Sequence, residues 1–115
     1  MAKSIMERQG SRTCWLCDAL HGDNSEKQDL HKHHIFMGKY RKIAEHEGLW
    51  VHLCLYHHTG DIHGDAEAVH SPHRNGYNRM LQELAQKKWE ETRSHEAWME
   101  LMGENFIGRG DTTEK

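Results

Sequence analysis

The clearest hydrophobic pattern lies toward the end of the chain. Tyr77, Met80, Leu81, Leu84, Ala85 and Trp89 recur at the spacing of one helical face. This stripe predicts a helix over Tyr77–Glu91, with Asn75 as its N-cap. A second helix is predicted from Ser94 to Met102, stopped by Gly103, with Trp98, Leu101 and Met102 on its apolar side. Upstream the period changes. Leu49, Val51 and Leu53 alternate with Trp50, His52 and Cys54, which predicts a strand over 49–54 with the two sets on opposite faces. Residues 29–37 read as extended, with Ile35 and Phe36 as their apolar content, until Gly38 breaks the run. Arg41–Glu47 has room for about two helical turns before Gly48, which is placed as a stop signal. Residues 13–27 are turn-rich, and 57–70 predict a short helix or helical turn with loop around Gly60 and Gly64. The polar stretches 1–12 and 108–115 are expected to be a flexible lead-in and a flexible tail. No internal repeat is present. The pattern is that of an α+β fold.

A chain of 115 residues has room for one domain, expected over 13–107, with a core at 13–70 and C-terminal helices at 75–107. Only 36% of its residues are hydrophobic, and so small a domain commonly needs a metal or another staple. No apolar run approaches the ~18 residues of a membrane span, and residues 1–12 lack the apolar stretch of a secretory signal. No membrane association and a cytoplasmic location are therefore expected. The net charge of −3 argues against a generally basic, non-specific nucleic-acid binder. Locally the balance reverses: Lys32, Lys39, Arg41 and Lys42 cluster, and Arg74, Arg79, Lys87, Lys88 and Arg93 follow.

The composition is unusual in its 12 histidines. Its 3 cysteines cannot all pair, and Cys14-x-x-Cys17 reads as metal chemistry before disulfide chemistry. With Cys54-x-x-His57 it completes a Cys₃His set, which suits a structural zinc ion. A thioredoxin-like redox role lacks the surrounding βαβ pattern. His33-His34, His58, His63 and His70 form a second constellation. In it one imidazole can hold a divalent cation while a neighbour acts as base near neutral pH. Phosphodiester hydrolysis needs those two parts. Arg41 and Lys42, with Lys39, are candidate phosphate contacts, and charged surface residues on a short helix are the plainer reading. His31 is a candidate to join the site, with a solvated strand residue as the plainer reading, and His21, His46, His52, His73 and His95 read as bystanders. Trp89, Trp98, Met80 and Met102 read as core, with Trp15 and Trp50 placed around the cysteine halves.

In order along the chain stand Cys14–Cys17, His33–Phe36, Gly38, Arg41, Gly48–Cys54, His57-His58, Val69-His70, and Ala85-Gln86 before Trp89. This ordered set, over roughly residues 13–107, resembles the HNH or ββα-metal nucleases, and more closely the small phage and prophage members with a zinc knuckle. The resemblance implies a ββα-metal core stapled by Zn²⁺ and followed by C-terminal helices. It implies hydrolysis of DNA, in its double-stranded form, to 5′-phosphate and 3′-hydroxyl ends. By position His34 matches the general base, His33 the metal ligand beside it, and His58 the ligand on the following helix, with His70 the best remaining ligand. The catalytic ion would be Mg²⁺ or Mn²⁺, with Ni²⁺ and Zn²⁺ as further candidates. The setting implied is the cytoplasm of a bacterial host, with a recombination or packaging protein as a possible partner. The Asn that names the motif is missing, since none occurs between Ile35 and His58. The roles within His33-His34, and the choice between His63 and His70, stay open in the sequence. So does oligomeric state. The rival readings are a non-catalytic zinc module that binds DNA or protein, and a histidine-rich metal-handling protein.

Overall fold

The computed structural model describes residues 3–8, 10–59, 69–70 and 76–108. It is a small mixed α and β arrangement in the order α1 (Trp15–His21), β1 (His31–His34), α2 (Arg41–Glu47), β2 (Trp50–Leu53), α3 (Leu55–His58), α4 (Tyr77–Trp89) and α5 (His95–Met102). A 3₁₀ turn at Gly38–Tyr40 leads into α2. No helix among the described residues is long and apolar enough to cross a membrane.

β1 and β2 pair antiparallel, with His31 opposite Leu53, His33 opposite Val51 and His34 opposite Trp50. Directly opposed residues share a face of the sheet. His31 and His33 therefore lie with Val51 and Leu53 on one face, while Lys32 and His34 lie with Trp50 and His52 on the other. Val51, Leu53 and His33 are buried, so the first face looks into the core. Ile35 and Phe36 continue β1 into that core without being part of the strand.

The C-terminal helices close over this face. Leu81, Ala85 and Trp89 of α4 and Trp98 and Met102 of α5 are buried. Phe36 packs against α5 and the segment that follows it, with ring centroids 5.7 Å from Trp98 and 4.8 Å from Phe106. Such edge-to-face pairs add about 0.5–1.5 kcal/mol each beyond the area they bury. Ser94 caps α5 by accepting the Ala97 N–H at 3.0 Å, and Gly103 ends it in a left-handed conformation, as the sequence predicts. The apolar stripe of α4 departs from expectation at one point. Leu84 is exposed, and Gln86 is fully buried in its stead. The amide earns that place by hydrogen bonding, since its Nε2 donates to Glu90 and Asn105 while its Oε1 accepts the Phe106 N–H at 2.7 Å. Asn75, the expected cap of α4, lies outside the described residues, as do Gly60, Gly64 and 109–115 of the tail.

Residues 3–8 have a packing role that the polar lead-in did not suggest. Ile5 N–H donates to the Gly48 carbonyl at 2.9 Å, Ser4 Oγ donates to the Trp50 carbonyl, and Glu7 accepts from both the His52 backbone N–H and its ring. Gly48 makes the close approach feasible. Its φ is +77°, and a Cβ there would stand 2.0 Å from the Lys3 carbonyl oxygen. Gly103 has the same φ with nothing within 4 Å of a Cβ, so it isolates the backbone cost. That cost is about 1–2 kcal/mol. Gly48→Ala is expected to lower the melting temperature by more than Gly103→Ala does. Equal shifts for the two variants would show that the N-terminal segment is not seated against Gly48.

Candidate metal centres

Two short helices build the first centre by the same local device. Cys14 is the N-cap of α1 and Cys54 the N-cap of α3, both in extended backbone. In each case the second ligand, Cys17 or His57, follows three residues later on the same side of the first turn. The Cys17 N–H points at Cys14 Sγ at 3.4 Å, which fixes the cap. The two turns meet at the end of β2. His57 Nδ1 lies 3.6, 3.4 and 3.5 Å from the sulfurs of Cys14, Cys17 and Cys54, and the Cys17 and Cys54 sulfurs are 3.8 Å apart. With Zn–S near 2.3 Å and Zn–N near 2.0–2.1 Å, a tetrahedron has S···S edges of about 3.8 Å and S···N edges of about 3.5 Å. The four donors thus fit a metal ion such as zinc. Burial pushes the Cys14 thiol pKa up, and burial with the neighbouring thiols pushes Cys17 up to about 12. Cys14 and Cys17 so placed favour their neutral forms unless a cation sits among them, and a coordinating thiol is deprotonated outright.

The second centre follows from the first. Neighbouring residues on a helix diverge by about 100°. With His57 committed to the cysteines, His58 turns the other way, toward β1. Its ring centroid lies 5.4 Å from that of His33. The third member arrives through the backbone. α3 has unpaired carbonyls at its C-terminal end, and Val69 N–H and His70 N–H donate to those of His57 and His58 at 2.8 and 3.1 Å. His70 is thereby laid beside its neighbours, with centroids 5.2 Å from His33 and 5.0 Å from His58. The ligand nitrogens of His33, His58 and His70 lie within 4.8 Å of one another, so this group too can hold a metal ion.

Two further residues, Asn78 and His31, orient these rings. Asn78 Oδ1 lies 2.8 Å from His33 Nε2, while its amide Nδ2 donates to the Ile35 carbonyl at 3.4 Å. That second bond sets the amide so that His33 Nε2–H is the donor and Nδ1 keeps its lone pair. His31, read as a solvated strand residue, instead places Nδ1 2.9 Å from His58 Nδ1, leaving His58 Nε2 for a ligand. Burial, followed by charge on neighbouring rings in the case of His58, pushes both His33 and His58 down to about 4. Neutral imidazole is the form that ligates metal.

His34 ends β1 on the outer face, yet it lines the same open cavity of about 360 Å³ as His33, His58 and His70. Its Nε2 lies 2.6 Å from Glu45 Oε1, and Lys32 holds the other Glu45 oxygen at 2.8 Å. These bonds, Lys32 first, bring the Glu45 carboxyl down to about 2. An ionised carboxylate only accepts, so His34 carries its proton on Nε2 and keeps Nδ1 free to accept another. Of the expected phosphate contacts, Arg41 lines this cavity together with Lys32. Lys39 instead lies 5.1 Å over the Tyr40 ring, and Lys42 is exposed on α2. Neither lines the cavity. His63 lies outside the described residues. His52 stands outside both groups, held by Glu7, and Trp50 lies under Lys32 on the outer face and not beside the cysteines.

Glu45 and Asn78 left no local signal. Their partners lie 11 and 45 residues away in the chain. No protein-family model, curated protein or solved structure compared with the chain matches it.

The low pKa of His33 has a consequence for stability. A histidine held neutral in the folded state lets the unfolded state bind more protons between its ordinary pKa of about 6.5 and its folded value of about 4. Stability then falls as pH drops through that window. A His33→Gln variant keeps the Cys₃His group but lacks this titration. The stability of the parent relative to this variant should fall between pH 6.5 and 4 in urea melts. A constant difference would show that His33 is not held neutral.

Proposed function

We propose that the chain is a metal-dependent DNA endonuclease of the HNH type, stapled by a structural zinc ion at Cys14, Cys17, Cys54 and His57. The observation that carries this reading is one cavity offering both parts of the chemistry. Three imidazoles converge there as candidate ligands, and a fourth histidine stands beside them with a carboxylate behind it. A divalent ion such as Mg²⁺ or Mn²⁺ held by His33, His58 and His70 would supply Lewis acidity to the phosphate and the leaving oxygen. His34 Nδ1 takes the proton of the attacking water as its oxygen bonds to phosphorus and the 3′ oxygen departs. Glu45 keeps the ring oriented and offsets the positive charge it gains, the role of a carboxylate behind a catalytic histidine. Lys32 and Arg41 hold the phosphate at the cavity mouth. The split of His33 as ligand and His34 as base fits the sheet geometry, because only His33 faces His58 and His70.

Supercoiled plasmid incubated with the pure protein in Mg²⁺, Mn²⁺, Ni²⁺ or EDTA tests the proposal. Nicked or linear product is expected with at least one of the metals and not with EDTA. His34→Ala should lower the rate by about 10²–10⁴-fold, the range for losing a general base, with zinc content and melting temperature unchanged. Plasmid that stays supercoiled in every metal with zinc-loaded protein would overturn the enzyme reading in favour of a non-catalytic zinc module.

A further inference from the structure

A second cavity lies apart from His33, His34, His58 and His70, on the outer side of the sheet. It has a volume of about 600 Å³ and is enclosed by the N-terminal segment, the stretch between α1 and β1, and β2. Lys3, Arg8, Arg12 and Lys27 line it, and Glu7 is the one acidic residue among the described residues that do. That carboxylate is already engaged by the backbone N–H and ring of His52, at 2.9 and 2.6 Å. Lys27 pairs with Asp23 at 2.9 Å. Among the described residues Lys3, Arg8 and Arg12 have no ion-pair partner. A chain of net charge −3 thus places three such cations around one recess, where one sign of charge between low-dielectric walls focuses the field on an anion.

The wall of this recess is shared with the histidine cavity. Trp50 lines the basic recess, and Lys32 Nζ sits 4.2 Å over its ring while also lining the histidine cavity. Trp50 is the residue paired with His34 across the sheet. Its indole N–H is buried and has no hydrogen-bond partner among the described residues. A polyanion crossing Lys32 would therefore meet the proposed base on one side and the arginines on the other.

We propose that this recess is a backbone subsite for DNA, in which Arg8 and Arg12 hold phosphates of the strand flanking the one at His34. The location differs from the short helix that bears Arg41 and Lys42. The idea that the bound strand is a substrate rests on the nuclease reading, whereas its binding does not. Binding of a fluorescein-labelled 20-base-pair duplex is therefore measured in EDTA, where no cleavage is needed. Arg8→Gln/Arg12→Gln is compared with the parent and with Lys87→Gln/Lys88→Gln on the exposed face of α4.

Each duplex phosphate contact contributes about 0.9 to the slope of log affinity against log salt. The arginine pair should therefore bind more weakly, with a slope shallower by about 2, while the lysine pair behaves as the parent. A plasmid that is never cut, with this salt signature intact, would sink the nuclease reading and leave the subsite standing. Equal affinity and slope for the arginine pair and the parent would overturn the subsite. So would an equal loss for the lysine pair, or arginine-dependent binding to phosphatidylserine vesicles in the absence of DNA binding.

Discussion

The meeting of α1 and α3 at Cys14, Cys17, Cys54 and His57 is the constraint on which the other parts depend. Neither helix has the length or the apolar surface to stand alone: α1 spans seven residues and α3 four. Isolated helices of that size do not persist in water. What holds them is a set of donors separated by 3.4–3.8 Å, a spacing that suits one tetrahedral ion. The hydrophobic core is continuous with this group, running from Cys14 and Leu16 through Phe36, Val51 and Leu53 to the α4 stripe, Trp98 and Phe106. The four donors join the two ends of residues 14–57, the half of the chain that contains the sheet.

That half is also where the proposed chemistry sits. The two histidines of α3 are adjacent, and the helix sends them in opposite directions. Fixing His57 on the cysteines fixes His58 on β1, and the carbonyls of the same two residues hold Val69 and His70. One short turn therefore joins two candidate metal centres without sharing a ligand between them. The second centre is refined from three further directions. Asn78 from α4 sets the His33 ring, His31 sets His58, and Glu45 from α2 sets His34. Site geometry is in this way tied to the packing of nearly every element.

Much of this was legible along the chain. The alternation at 49–54, the stripe from Tyr77 and the Ser94–Gly103 bracket each state a period or a cap, and local sequence carries such signals. The Cys₃His spacing and the order of His33, His58 and His70 were legible for the same reason. The seating of residues 3–8 was not, because it uses backbone bonds to Gly48 and a Glu7–His52 contact across 45 residues, which leave no periodicity. Gln86 and Leu84 exchange expected places because an amide with three partners can be buried while a leucine at the edge of a stripe need not be. His31, Glu45 and Asn78 belong to the site only through contacts made after folding.

Two separate centres, one of thiolate and imidazole and one of imidazole alone, form the central claim. Titration of the metal-free protein with Co²⁺, followed by absorption spectroscopy, tests it most directly. The account predicts that one equivalent gives thiolate-to-cobalt charge transfer with intense tetrahedral bands, abolished by Cys17→Ser. A further equivalent should then bind without added charge transfer and be lost in His58→Ala while the first remains. Binding of a single equivalent by the parent protein, or loss of the thiolate signal in His58→Ala, would contradict it.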